Sequence, residues 1–194
     1  MLLFSQICVK IKWVMKMQNE KVLPKRKHPR LKKYDYSSAG AYFLTICTKN
    51  RKCLLSRIEN MDNEFVGRGL APAVTKGIEY TKYGKIAEKQ LLLLEERYLF
   101  LKIVRYVIMP NHIHAVILLG NRTAGASPRP TIVDIVCAYK SLTTRECKKN
   151  GLADSLFQTS FFEHVIRNQE EYDQIIKYIN ANPVSWHSDE LYSE

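Results

Sequence analysis

An α+β fold with an antiparallel sheet covered by helices on one face is what this chain predicts. Three observations carry that expectation. Apolar segments of strand period alternate with segments of helix period along the chain, two of the strands sit close enough to form a hairpin, and no repeat recurs at any fixed spacing. The 194 residues, 46% hydrophobic, suit a single core with an arm attached.

The arm comes first. Residues 1–33 carry +9 of the formal net charge of +11, through Lys25, Arg26, Lys27, Arg30, Lys32, Lys33 and four earlier lysines against Glu20 alone. "LPKRKHPRLKK" has too few apolar side chains to fold by itself, and clustered Lys and Arg mark either a solubilising arm or a phosphate-contacting one. The opening apolar run is interrupted by Lys10 and Lys12 and is followed by no small-residue cleavage site, which predicts a cytoplasmic chain with no membrane segment. Met17 offers an alternative start. Five cysteines with no C-x-x-C pair exclude a disulfide framework and a cysteine zinc site.

A globular domain is expected over 34–187, with 188–194 as a C-terminal tail. "AYFLTICT" at 41–48 alternates as a strand buried on both sides would. Four Gly or Pro residues between Gly67 and Tyr80 predict a long loop or short excursion there. Ile86, Leu91, Leu93 and Leu94 mark an amphipathic helix over 82–98. "LKIVRYVIM", Pro110-Asn111 and "HIHAVILL" then read as strand, turn, strand. Thr131 with Asp134 begins a capping box, Ile132, Ile135, Val136, Tyr139 and Leu142 supply the buried stripe of the helix that follows, and Asn150-Gly151 stops it. A short strand near 161–166 precedes a last helix whose stripe is Tyr172, Ile175, Ile176 and Ile179, and which ends before Pro183.

Candidate chemistry lies in two places. His112 and His114 project from one face of their strand and Ile113 from the other, so two imidazoles could share a metal if a third ligand comes from elsewhere; a hydrogen-bonded histidine pair is the plainer alternative. A histidine-triad nucleotide hydrolase would need a third histidine where Val116 stands. On the last helix, Tyr178 lies about 110° from the centre of the buried stripe, and Asn182 follows it at i+4.

"MPNHIHAVI" followed by "RNQEEY" and "YINANP" resembles the REP-associated tyrosine transposases, within the single-tyrosine HUH transposases of bacterial insertion sequences, and the likeness runs from about Pro29 to Trp186. The resemblance implies a ferredoxin-like, RNA-recognition-motif-like fold. It also implies a divalent metal, Mg²⁺ or Mn²⁺, held by His112 and His114 with Asn182 as third ligand, and Tyr178 as nucleophile. The partner it implies is single-stranded DNA bearing a hairpin, nicked and rejoined through a 5′-phosphotyrosine without ATP. Monomer or homodimer stays open. The rival reading is a hairpin-binding protein of the same fold that does not cut, with Lys25, Arg26, Lys27, Arg30, Lys32 and Lys33 as DNA contacts in either case.

Overall fold

The computed structural model describes residues 34–58, 77–121 and 130–192. The basic arm and most of the glycine-rich excursion lie outside these residues.

A four-stranded antiparallel sheet is built from β1 (Gly40–Cys47), β4 (Leu101–Ile108), β5 (His112–Leu119) and β6 (Phe162–Ile166) in the order β4-β5-β1-β6. Helix α1 (Lys82–Arg97) joins β1 to β4 and α2 (Ile132–Lys149) joins β5 to β6. This is the βαββαβ order of a ferredoxin-like fold. The excursion contributes β2 (Ser56–Ile58) and β3 (Ile78–Tyr80), paired with each other as a separate ribbon. Among the described residues the cysteines form no disulfide, and no helix is long and apolar enough to cross a membrane.

Strand alternation sorts the side chains into two cores. Tyr42, Leu44 and Ile46 of β1 and Ile113, Ala115 and Ile117 of β5 face α1 and α2, which supply Ala87, Leu91, Leu94, Ile132, Ile135, Val136 and Tyr139. Phe43 and Val116 face the other way, toward α3 (Gln169–Ala181). β1 is therefore buried on both sides, as its sequence predicts. The expectation of helices on one face holds for α1 and α2, while α3 lies on the opposite face, its Ile175 and Ile179 packed with Phe43, Val107 and Val116. An amphipathic stripe says that a helix must cover something apolar, but both faces of this sheet offer that.

Local chemistry sets the helix ends. Thr81 caps α1 by accepting from Gly84 N at 3.1 Å. Gly84 itself is required by contact, because a Cβ there would stand 2.0 Å from the Leu55 carbonyl oxygen. Thr131 and Asp134 form the expected capping box. In α2 the buried stripe runs on through Thr143, not Leu142, with the Thr143 hydroxyl donating to the Tyr139 carbonyl at 2.7 Å. Gly151, at φ 91°, ends the helix. Asn168 caps α3 through Glu171 N at 2.8 Å.

A histidine, tyrosine and asparagine cluster beneath the last helix

The β1–β5 register places Thr45 opposite His114 and Cys47 opposite His112. Both histidines thus point to the α3 face, and the Met109–Asn111 turn sets them at the head of β5. Their ring centroids are 4.5 Å apart. The rings are fully buried. Phe43 stacks on His114 at 5.2 Å, Trp186 lies 6.0 Å from His112, and Tyr178 closes over His114 at 5.3 Å between ring centroids.

Each ring is oriented by its Nδ1. The Asn111 amide nitrogen donates to the Leu191 carbonyl at 2.7 Å, so its Oδ1, 2.8 Å from His112 Nδ1, must accept the proton of that nitrogen. His112 Nε2 is left as a bare lone pair, buried and without a hydrogen-bond partner. Thr45 Oγ1 meets His114 Nδ1 at 2.9 Å, and His114 Nε2 faces the Tyr178 hydroxyl at 3.3 Å. Burial lowers the pKa of His112 to about 3 and lowers that of His114 well below the ordinary histidine value, the His112 ring adding to the cost of charging His114. Both rings are neutral at pH 7, the form that ligates metals.

Asn182, at the C-terminal end of α3, sits beside His112 and opposes part of that downward shift. Its amide nitrogen donates to Asp189 Oδ2 at 2.6 Å, which turns Oδ1 into a second buried acceptor with no partner. Two lone pairs without a proton between them cost free energy unless a cation joins them. Asp189 completes the group: one ligand atom each from His112, His114 and Asp189 lie within 4.8 Å of one another. Two imidazole nitrogens and oxygen donors suit a divalent cation such as Mn²⁺ or Mg²⁺, so the residues present fit the metal that the resemblance implies.

Asp189 is a candidate ligand that the sequence does not mark, since it falls within 188–194, where a tail is expected. The segment after Pro183 instead turns back onto the domain through a 3₁₀ turn (Trp186–Ser188), with Leu191 buried and its amide donating to Asp189 Oδ1 at 2.6 Å. Trp186 and Leu191 are the signal that could have found it, since such side chains seek a core. A cleft of about 130 Å³, lined by Tyr178, Asn182, Ser185, Ser188, Asp189 and Glu190, opens beside the tyrosine.

Tyr178, Asn182, His112 and His114 are thus brought together as expected. Glu171, in the first turn of the same helix, engages His164 Nε2 at 2.6 Å and Arg167 N at 2.9 Å with its carboxylate, two helical turns, about 10 Å, from Tyr178. The six basic residues Lys25, Arg26, Lys27, Arg30, Lys32 and Lys33 lie outside the described residues.

No family model matches the chain. An uncharacterized protein of Haemophilus influenzae is 31% identical over 182 residues, a match that covers 86% of this chain and 93% of that one. Among solved structures, a REP-associated tyrosine transposase bound to a REP hairpin superposes with a TM-score of 0.51 at 22% identity, over 80% of this chain and 73% of the other.

Proposed function

Since the chain belongs to one family with the Haemophilus influenzae protein and has the fold of a REP-associated tyrosine transposase, we propose that it is a transposase, a metal-dependent enzyme that nicks and rejoins single-stranded DNA carrying a hairpin. The observation that carries this reading is the Tyr178 hydroxyl, 3.3 Å from His114 Nε2, with the orphaned acceptors His112 Nε2 and Asn182 Oδ1 in the same cluster. A tyrosine serving only as packing has no use for buried, unprotonated ligands at its tip.

His112, His114 and Asp189 would hold a divalent cation, with Asn182 as a further oxygen donor. When bound, the cation supplies charge neutralisation for a phosphodiester, whose anionic oxygens otherwise repel a nucleophile. The residues of the chain do the rest. Asn111 and Thr45 fix the two rings with Nε2 directed inward, Phe43 and Trp186 exclude water from them, and α3 carries Tyr178 and Asn182 on one side, four residues apart. Tyr178 Oη attacks the phosphorus, a P–Oη bond forms as the P–O3′ bond breaks, and the proton lost by the phenol balances the one gained by the 3′-oxygen. Rejoining runs the same exchange backward, with the phenol as the better leaving group. The arm residues Lys25, Arg26, Lys27, Arg30, Lys32 and Lys33 contact phosphates. Deleting residues 1–27 removes three of them and should lower the slope of log affinity against log salt by up to about three units.

The deciding experiment incubates the protein with a labelled single-stranded hairpin oligonucleotide and Mn²⁺, then looks for a denaturation-resistant adduct. Wild type should form it, and Tyr178→Phe should bind the DNA without forming it. Binding by wild type with no adduct under any divalent cation would leave a hairpin-binding protein that does not cut.

A further inference from the structure

A second feature of the molecule lies around the edge of the sheet from the tyrosine. Helix α2 and the loop that follows it enclose an open groove of about 400 Å³. On a helix of 3.6 residues per turn, Lys140, Ser141, Thr144, Arg145 and Lys148 fall within one arc of about 140°, and all five line the groove, with Gln158 on the facing wall. Three cations and short hydroxyl and amide side chains rim the groove, and Phe157 adds an apolar patch to its wall. The neighbouring acids are engaged elsewhere: Glu146 accepts from Lys149 at 3.1 Å, and Asp154 pairs with Lys49 at 2.6 Å. Lys140 is fixed at the floor, its ammonium donating to the Thr159 carbonyl at 2.7 Å and lying over the Phe161 ring at 5.8 Å. Arg145 and Lys148 are exposed.

The groove is joined to the catalytic cluster through the backbone. Its far wall is stitched to the end of β1 by a Thr48–Phe157 bridge and by Gln158 N donating to the Cys47 carbonyl at 3.0 Å. Cys47 is the register partner of His112, one strand spacing away, about 5 Å. The Cys47 thiol is within electrostatic reach of both Lys140, from the groove, and Asp189, from the cluster. Groove and cluster thus flank the same end of β1.

Resting on the function proposed above, we propose that the α2 groove is a second nucleic-acid contact, which binds the sugar–phosphate backbone of the strand running on from the tyrosine site through Lys140, Arg145 and Lys148. Spaced cations with hydroxyl donors between them suit successive phosphates, and an open groove rimmed by three cations suits neither an enclosed small ligand nor an apolar helix.

The test uses the full chain carrying Arg145→Gln and Lys148→Gln together, both exposed and outside the cluster, with Lys89→Gln on α1 as a control. Affinity for a fluorescent single-stranded hairpin oligonucleotide is measured across a salt series, and adduct formation is measured at saturating DNA. The double variant should bind more weakly, with a slope of log affinity against log salt smaller by about one to two units. The control should match wild type, and adduct formation at saturation should be unchanged. An unaltered slope in the double variant overturns the groove and leaves the transposase reading standing. A reduced slope in a protein that forms no adduct supports the groove while the catalytic reading fails. Absence of DNA binding by wild type overturns both.

Discussion

The two faces of the central sheet are made from alternate residues of the same strands, yet they do different work. Toward α1 and α2, β5 sends Ile113, Ala115 and Ile117 into a continuous apolar core. Toward α3 it sends His112 and His114 into a buried pocket where His112 Nε2 and Asn182 Oδ1 have no partner. Burying a bare acceptor is unfavourable, and an apolar core of this size is strongly favourable. The first face is apolar throughout, while the second sets its unsatisfied acceptors beside a smaller apolar cluster around Phe43, Val116 and Ile179. The same strand supplies both, one residue apart.

The largest effect expected from this contrast is on the apolar face. Ile113→Asp would place an unpaired carboxylate where the side chain is fully buried, at a cost of several kcal/mol. Thermal unfolding followed by circular dichroism should show loss of the cooperative transition, and a well-folded variant would break the contrast. On the other face, His114→Ala should retain the fold. There the readout is metal: Mn²⁺ should raise the melting temperature of wild type by mass action and leave His114→Ala unmoved. An equal rise in both would remove the histidines from the metal site.

A smaller effect, and a sharper one, is acid sensitivity. His112 is held down to about 3 by burial, and His114 is also held below its ordinary value. With folded values below the unfolded value of about 6.5, the unfolded chain binds more protons throughout that interval. Stability without metal is therefore complete above pH 6.5 and falls as the pH drops from there toward 3. Denaturant midpoints at pH 7.5 and pH 5 check the sign, and His112→Asn should flatten the difference. A midpoint that rises on acidification would contradict the buried neutral histidines.

Much of this was legible beforehand, for reasons that are local. The two-residue period of a strand is enough to separate His112 and His114 from Ile113, and the 3.6-residue period of α3 is enough to set Tyr178 and Asn182 apart from Ile175 and Ile179. The capping box at Thr131 and the stop at Gly151 depend only on neighbours along the chain. Other features depended on which surfaces meet. The stripe on α3 gives no sign of which face of the sheet it covers. Likewise, Cys47 and His112 are register partners although 65 positions separate them in the chain.

Periodicity and turn chemistry along the chain give the order of the elements, the alternation that puts two imidazoles on one side of β5, and the helical face that carries a tyrosine and an asparagine. Tertiary structure alone decided that Asp189 joins them, that Asn111 and Thr45 orient the two rings by their Nδ1 atoms, and that the wall of the α2 groove is bridged to the end of β1. The physical reason is that periodicity and capping act over a few residues of backbone, whereas a ligand set is completed by chain reversal. Here the turn at Pro183 brings residues 186–191 back onto the sheet under the pull of Trp186 and Leu191, two buried side chains whose own sequence neighbourhood says nothing about histidines more than seventy positions away.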